Sequence, residues 1–284
     1  MSNLLQRTIT GLIFGVVVIG SIVLGKYTFA LLLLVISALG LKEFYKLALS
    51  EANKKYSNVA LIFGALTSTT YIIVDLIITE NIFDISIVGL FFFVILCFII
   101  FSILDIFWNS KPHTGQVLVG LILIPISIIA LWHYGYPSQK HFSFELPLAL
   151  LILTWANDVG AYFSGKFLGK RKLFERISPN KTWAGFYGGI VLTTIIAFLL
   201  NNYLYEFANL ESQFNIIKII FLGFTISIFA TFGDLYQSYT KRIYGVKDSG
   251  NLLPGHGGIW DRFDGFFFVI YGYLIFTFIS SFLF

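Results

Sequence analysis

The side chains that could do chemistry are concentrated between Asp234 and Asp264, the longest polar stretch of a strongly apolar chain. Asp234, Ser238 and Lys241 are spaced i, i+4 and i+7, so one face of a helix would carry all three. Asp261 and Asp264 follow at i and i+3, where the next apolar run begins. Two helix ends therefore present carboxylates to one layer. Hard divalent cations such as Mg²⁺ bind carboxylate and phosphate oxygens.

The same stretch also carries fixed positive charge and a glycine-rich turn. Its four cations are Lys241, Arg242, Lys247 and Arg262. The Gly-His-Gly-Gly sequence around His256 can adopt backbone conformations that bring N–H groups up to an anion. Carboxylates for a metal, cations for phosphates and this turn together indicate phosphoryl or nucleotidyl transfer. A calcium-binding EF-hand is excluded, because the acids do not stand at the positions of its twelve-residue loop.

A second polar segment lies at the end of an apolar run upstream. Asn157 and Asp158 come one to two helical turns before that run ends. Asp158, Tyr162 and Lys166 are spaced i, i+4 and i+8, which places them along one helix face. One helix face would therefore carry an acid, a phenol and an ammonium group.

A third polar segment, from Ile177 to Trp183, predicts the start of a helix. Ser178 followed by Pro179 is typical of an N-cap with proline in the first helical position. A helix N-terminus with Lys181 beside it would bind an anion. An ordinary cap within a basic interfacial loop is an equally good interpretation of this segment alone.

The composition predicts an all-α, polytopic integral membrane protein. Charged residues make up 12% of the chain, about half the share of a soluble domain. The apolar blocks are roughly 18 to 25 residues long, which is enough for a helix to cross a bilayer. They do not alternate polar and apolar residues as β-barrel strands do. We predict about nine spans, near Thr8–Gly25, Tyr27–Leu41, Ser57–Thr79, Ile82–Phe107, Thr114–Trp132, Phe144–Phe163, Trp183–Tyr205, Phe214–Tyr236 and Phe263–Phe284.

The placement of lysine and arginine predicts a cytoplasmic N-terminus. With that orientation, 16 of the 19 cations face the cytoplasm, all except Lys26, Lys140 and Lys218. Such a bias follows the positive-inside rule. It places loops 164–182 and 237–262 in the cytoplasm. We therefore expect residues 1–149 to form about five scaffold helices that face lipid, and residues 150–284 to form the catalytic region.

The run from Ser238 to Asp264 resembles the signature of the phosphatidate cytidylyltransferases, also called CDP-diacylglycerol synthases. The matching positions are Ser238, Lys241-Arg242, Lys247-Asp248, Gly250, Leu253-Pro254, His256-Gly257-Gly258-Ile259 and Asp261-Arg262-Phe263-Asp264. The upstream Asn157-Asp158 and Ser178-Pro179 segments also look like that family, so the resemblance covers about residues 150 to 265. Thr240 and Ala184 depart from the family pattern.

The resemblance implies transfer of CMP from CTP to phosphatidic acid, giving CDP-diacylglycerol and pyrophosphate for phospholipid biosynthesis. It implies Mg²⁺, a possible second cation, a possible homodimer and no nucleic-acid partner. The site would face the cytoplasm from the cell membrane. By analogy with the family, the metal ligands are Asp234, Asp261 and Asp264. The phosphate-binding cations are Lys181, Lys241, Arg242, Lys247 and Arg262. Further substrate contacts are Asn157, Asp158, Tyr162, Ser178, Ser238, Asp248, His256, Gly257 and Gly258.

Two other functions fit parts of the sequence. A CTP-dependent polyprenol or phytol kinase would release CDP, whereas a cytidylyltransferase releases pyrophosphate, so the product separates them. A cation-coupled transporter would also carry acids within its spans. Transporters usually hold such acids near the bilayer midplane on broken helices, whereas here the acids cluster with lysine and arginine at one surface. That placement favours an enzyme.

Overall fold

A computed structural model describes residues 3–77, 87–136, 142–207 and 215–283. We number its nine helices in chain order. Their bounds are α1 Asn3–Val23, α2 Lys26–Ala48, α3 Lys54–Ile77, α4 Ile87–Trp108, α5 Thr114–Tyr134, α6 Glu145–Leu168, α7 Trp183–Phe207, α8 Ile216–Ile243 and α9 Trp260–Leu283. Eight of them are long and apolar enough to cross a membrane, and α4 contains a shorter apolar stretch, Phe93–Trp108. The prediction of an all-α polytopic membrane protein is confirmed.

The division of the first apolar run into two helices is also confirmed. α1 ends at Val23 and α2 begins at Lys26, and Gly25 between them has a φ of 126°. Glycine adopts such a positive φ without steric cost, so it is the residue at which this turn can form. The predicted span ends at Thr79, Ile82, Phe214 and Phe284 lie outside the described residues.

The helices around the polar segments are longer than the spans predicted from hydropathy. α6 continues to Leu168, α8 continues to Ile243, and α9 already begins at Trp260. The predicted loops 164–182 and 237–262 are therefore too long, and the connecting segments are 169–182 and 244–259. Hydropathy indicates where the apolar part of a helix ends. The helix itself can continue beyond that point where its polar side chains form hydrogen bonds or ion pairs.

A β-hairpin connects α6 to α7, and the sequence did not predict it. Its strands, β1 Lys172–Phe174 and β2 Ser178–Thr182, pair antiparallel. The predicted N-cap at Ser178 is wrong, because Ser178 begins β2. Pro179 is tolerated in β2 because both strands of a two-stranded sheet are edge strands, where a missing N–H costs little. The cap of α7 is Thr182, whose Oγ1 accepts a hydrogen bond from the Gly185 N–H at 3.1 Å.

Glycines allow the helices that carry the site to pack closely. A Cβ on Gly160 of α6 would lie 2.6 Å from the carbonyl oxygen of Gly188 on α7. A Cβ on Gly233 of α8 would lie 2.6 Å from the carbonyl oxygen of Asp264 on α9. Small residues at such contacts are typical of helix pairs in membranes, where close backbone approach drives association. This packing brings the polar faces of α6, α8 and α9 together.

Gly160→Ala is expected to lower the free energy of unfolding by about 1–3 kcal/mol, because the added methyl group would meet backbone that cannot rotate away. Thermal unfolding in detergent would measure the loss. Gly20→Ala is the matched control, since no atom stands within 4 Å of the Cβ position at Gly20. Equal melting temperatures for the two variants would contradict the close approach of α6 and α7.

Two acids of the first half, Asp75 and Asp105, serve the scaffold. Asp105 accepts hydrogen bonds from Asn109 Nδ2 at 2.8 Å, from His113 N at 2.9 Å and from Thr114 N at 2.6 Å, so it caps the start of α5. Asp75 accepts one from Trp132 Nε1 at 2.8 Å. Both side chains have local partners, which is the arrangement that the high cost of an unpaired charge in a membrane favours.

Candidate active site

A cavity of about 300 Å³ opens between α6, α7, α8 and the hairpin. Its wall includes six of the residues that the sequence assigned to the site: Asn157, Asp158, Tyr162, Ser178, Lys181 and Asp234. The hairpin also contributes Leu173, Asn180 and Thr182 to the lining.

The hairpin places Lys181 against the carboxylate of Asp234 on α8. Lys181 Nζ lies 2.6 Å from Asp234 Oδ2, and both side chains are partly exposed to the cavity. Ser238, one helical turn further along α8, donates a hydrogen bond from Oγ to Asp234 Oδ1 at 3.2 Å. Asp234 and Ser238 therefore share one face of α8, as their i, i+4 spacing predicted. Lys181 of the hairpin pairs with the acid on this face.

Two more carboxylates surround this ion pair. Asp264 on α9 is partly buried and interacts electrostatically with Asp234, Asp158 and Lys181. Asp158 on α6 interacts with the same lysine and also with Arg262. Three acids from three helices therefore share the nearest positive charges, and this excess of negative charge would attract a further cation.

Asn157 supports the cavity wall through buried hydrogen bonds. Its Oδ1 accepts a hydrogen bond from Ser227 Oγ on α8, and its Nδ2 donates to Asp158 Oδ1 at 3.5 Å. The side chain is buried against Gly189 of α7. Asn157 thus joins α6, α7 and α8 and fixes the neighbouring Asp158.

Asp261 belongs to a second polar cluster, beside the loop. Its Oδ1 accepts hydrogen bonds from Gln237 Nε2 at 3.1 Å and from Lys241 Nζ at 2.9 Å. Its Oδ2 accepts from the Ser249 N–H at 2.8 Å, the Ser249 hydroxyl at 3.0 Å and the Gly258 N–H at 2.9 Å. Four N–H donors occupy this carboxylate and the Ser249 hydroxyl lies beside it, so in this arrangement it has no free lone pair for a metal ion.

The remaining predicted residues lie around the loop. Arg242, Lys247, Asp248 and Arg262 are exposed. Gly255 and Gly257 have φ values of 75° and 82°, which confirms that the glycine-rich turn uses positive-φ backbone. The His256 N–H donates to Leu253 O at 2.8 Å, and the imidazole lies beside Gly11 of α1. Tyr162 is exposed, and Lys166 Nζ lies 5.7 Å from the centre of its ring.

The acids around Asp234 can be tested as a metal site. Within the described parts of the chain, no three His, Cys, Asp or Glu side chains stand close enough together to hold one ion. Mg²⁺ does not require three, since it is commonly held by one or two carboxylates together with water and substrate phosphates. Asp234 and Asp264 fit this mode. Asp261, whose oxygens already accept from four N–H donors, fits it poorly.

Sequence reasoning missed the partners that hold the second cluster. Ser249 lies inside the signature and Gln237 directly before it, but their residue types are common in loops and helix ends. Glu43 on α2 also contacts this cluster through Ser249, at 2.9 Å from the hydroxyl. Nothing in the local sequence around Glu43 marks it, because the contact joins residues about 200 positions apart.

In a polytopic helical membrane protein, a cavity lined by acids and a lysine at the helix ends is the arrangement expected of a membrane-embedded enzyme that acts on phosphates. The comparison with known families is specific. The model of the cytidylyltransferase family matches residues 5–280, and the chain belongs to this family. It is therefore a nucleotidyltransferase that uses CTP.

Individual relatives agree over most of the chain. A phosphatidate cytidylyltransferase of Bacillus subtilis is 32% identical over 276 residues, which are 95% of this chain and 96% of the relative. One from Staphylococcus haemolyticus is 29% identical over 265 residues, which are 93% of this chain and 95% of the relative. One from Haemophilus influenzae is 38% identical over 162 residues, which are 56% of this chain and 55% of its own.

Proposed function

We propose that the chain is a phosphatidate cytidylyltransferase, which transfers CMP from CTP to phosphatidic acid and releases pyrophosphate. The observation that carries the proposal is the Lys181–Asp234 pair in the cavity wall, with Asp158 and Asp264 beside it. This arrangement supplies positive charge for phosphates and carboxylates for a divalent cation. The names of the relatives supply the lipid and the nucleotide.

The reaction needs charge held in place more than it needs a base. The phosphate monoester of phosphatidic acid has a second pKa of about 6, so it is already a nucleophilic anion at neutral pH. One of its oxygens forms a bond to the α-phosphorus of CTP. The bond from that phosphorus to the bridging oxygen of the β-phosphate breaks, and pyrophosphate leaves with the electron pair. Catalysis of such a transfer is mainly positioning and electrostatic stabilisation.

Lys181 is the residue best placed to stabilise a phosphate in this step. Its side chain is about three-quarters buried at the cavity wall, and its ammonium group pairs with Asp234. A fixed charge in a site with little water stabilises a transition state more than a mobile surface charge does. Arg262 lies within electrostatic reach of Asp158, and Arg242 and Lys247 are exposed near the same end of the helices.

We assign the Mg²⁺ ligands to Asp234 and Asp264, with Asp158 close enough to share a second cation. Bound Mg²⁺ would neutralise phosphate charge and hold the triphosphate in line for attack. Asp234 is paired with Lys181 in this structure, and Lys181 is the cation of this pair that would turn toward a phosphate of the nucleotide. Asp261 instead holds Lys241 and the loop in position.

The remaining proposals concern location and assembly. Sixteen of the 19 cations lie in segments that the positive-inside rule assigns to the cytoplasm, as it does the loops that border the site, which supports a cytoplasmic active site in the cell membrane. Exposed aromatic residues on the last turns of α6, Tyr162, Phe163 and Phe167, would contact acyl chains of the lipid substrate. The resemblance to the family supports a homodimer.

A product assay tests the proposed function. Purified protein in mixed micelles receives phosphatidic acid, Mg²⁺ and CTP labelled on the α-phosphate. We expect label in the lipid phase, an equal amount of pyrophosphate, and loss of both with EDTA. Label that stays aqueous as CDP when a polyprenol replaces phosphatidic acid would establish a kinase instead. Cation-dependent solute flux without CTP turnover would establish a transporter.

A further inference from the structure

Glu43, near the end of α2, caps the helix that carries Arg262 and Asp264. Its Oε1 accepts a hydrogen bond from the Ile259 N–H at 3.0 Å, and its Oε2 accepts one from the Trp260 N–H at 2.9 Å. N–H groups at the start of a helix have no acceptor within the helix. A carboxylate at this end also meets the positive end of the helix dipole. α2 thus supplies the N-terminal cap of α9.

The same carboxylate is linked to Asp261 through a serine. Ser249 Oγ lies 2.9 Å from Glu43 Oε2 and 3.0 Å from Asp261 Oδ2. A hydroxyl group has one proton and can donate it to one carboxylate at a time. The Ser249 N–H also donates to Asp261. Ser249, in the loop 244–259, therefore contacts both Glu43 of α2 and Asp261 of α9.

Two glycines of the loop leave room for Glu43. A Cβ at Gly250 would lie 2.6 Å from Glu43 Oε1, and a Cβ at Gly258 would overlap the same carboxylate. The neighbouring Phe44 packs edge-on against Trp260, with ring centres 5.1 Å apart. No lysine or arginine pairs with Glu43 in the part of the chain that the structure describes. Its negative charge is stabilised by the N–H groups at the start of α9 and by the Ser249 hydroxyl of the loop.

We propose that Glu43 is a positioning residue for the transfer reaction. It fixes the first turn of α9 and the glycine-rich loop, so that Arg262 and Asp264 face Asp158 and Asp234. Glu43 does not line the cavity, and it acts through the residues that it holds. The N-terminal half therefore contributes to activity as well as to the scaffold. This inference rests on the proposed function, because its catalytic consequence is measured as turnover of CTP.

Glu43→Gln tests the inference. Glutamine keeps one carbonyl oxygen as an acceptor, but its amide nitrogen can only donate, so it leaves one helix N–H without an acceptor. We expect kcat to fall about 10- to 100-fold, the usual loss when a supporting partner of a site residue is removed. KM for CTP should change little, since Glu43 does not touch the cavity. Steady-state kinetics in mixed micelles measures both constants.

Tyr45→Phe is the matched control. Tyr45 lies two residues further along α2, and its hydroxyl donates to Val117 O of α5 at 2.8 Å, so the variant also loses one buried hydrogen bond. Amide hydrogen exchange, read by mass spectrometry, should become faster at Ile259 and Trp260 in Glu43→Gln and stay unchanged there in Tyr45→Phe. This readout does not depend on turnover.

Several outcomes decide the matter. An unchanged kcat in Glu43→Gln would overturn the inference, and so would an equal loss of kcat in Tyr45→Phe at a similar melting temperature. Unchanged exchange at Ile259 and Trp260 would show that Glu43 does not fasten α9. If the wild-type protein turned over no CTP, the proposed function would fail, and the exchange experiment would still decide whether Glu43 holds the loop.

Discussion

Replacing Asp234 by asparagine is expected to lower turnover of CTP by about 10³-fold, the loss typical of removing one preorganised charged group from a site. The substitution keeps the shape of the side chain but removes the charge that orients Lys181 at 2.6 Å. It also removes the acid that we place on the metal. Product formation at saturating CTP, phosphatidic acid and Mg²⁺ measures the effect, and the melting temperature should stay close to that of the wild type.

Asp75→Asn is the control for this experiment. It makes the same chemical change on α3, where Asp75 accepts a hydrogen bond from Trp132 and lines no part of the cavity. We expect its turnover to match the wild type. A second test concerns Mg²⁺, because Asp234→Asn should require a higher Mg²⁺ concentration for its residual activity. Wild-type turnover in Asp234→Asn would remove this residue from the metal and phosphate site.

The second large effect is expected on stability. Asp261→Asn should lower the free energy of unfolding by about 3 kcal/mol, because it leaves a buried lysine without its partner. The side chains of Lys241 and Asp261 are only 14% and 4% exposed. An asparagine amide would also place a donor against the Ser249 or Gly258 N–H, or against Lys241. Thermal unfolding in detergent measures the loss.

Two further variants separate the charge effect from general damage to the loop. Asp248→Asn makes the same change at an exposed position of the loop and should shift stability by less than about 0.5 kcal/mol. Combining Lys241→Met with Asp261→Asn removes both charges and should recover part of the lost stability. If Asp261→Asn were as stable as the wild type and lost only activity, Asp261 would be a metal ligand, as the sequence alone predicted.

Much of the fold was readable from local patterns. Long apolar blocks predicted the nine helices, since the length needed to cross a bilayer is a property of each segment alone. Gly25 marked the turn between α1 and α2 for an equally local reason. The ends of α6, α8 and α9 were wrong by three to seven residues. Their polar last or first turns are held by contacts with other elements, and hydropathy does not record those contacts.

The site was predictable as a set of residue types but not as an arrangement. The spacing of Asp234, Ser238 and Lys241 correctly placed them along one side of a helix. The resemblance to the family implied that Asp234 and Asp261 act together as metal ligands, whereas the structure places them in two clusters with different partners. Lys241 bonds to Asp261 because α8 and α9 pack antiparallel at a register set by Gly233 and its neighbours. No spacing along one segment determines such a register.

By itself, the sequence determined that this protein is a polytopic helical membrane protein and a member of a CTP-using family. Segment hydropathy and the fixed spacing of Ser238 to Asp264 are both properties of continuous chain. Only the tertiary structure decided which groups meet: the hairpin that delivers Lys181 to Asp234, and Glu43 that caps α9 from the other half of the chain. The physical reason is that these contacts depend on how closely helices pack, and packing joins residues that are far apart in sequence.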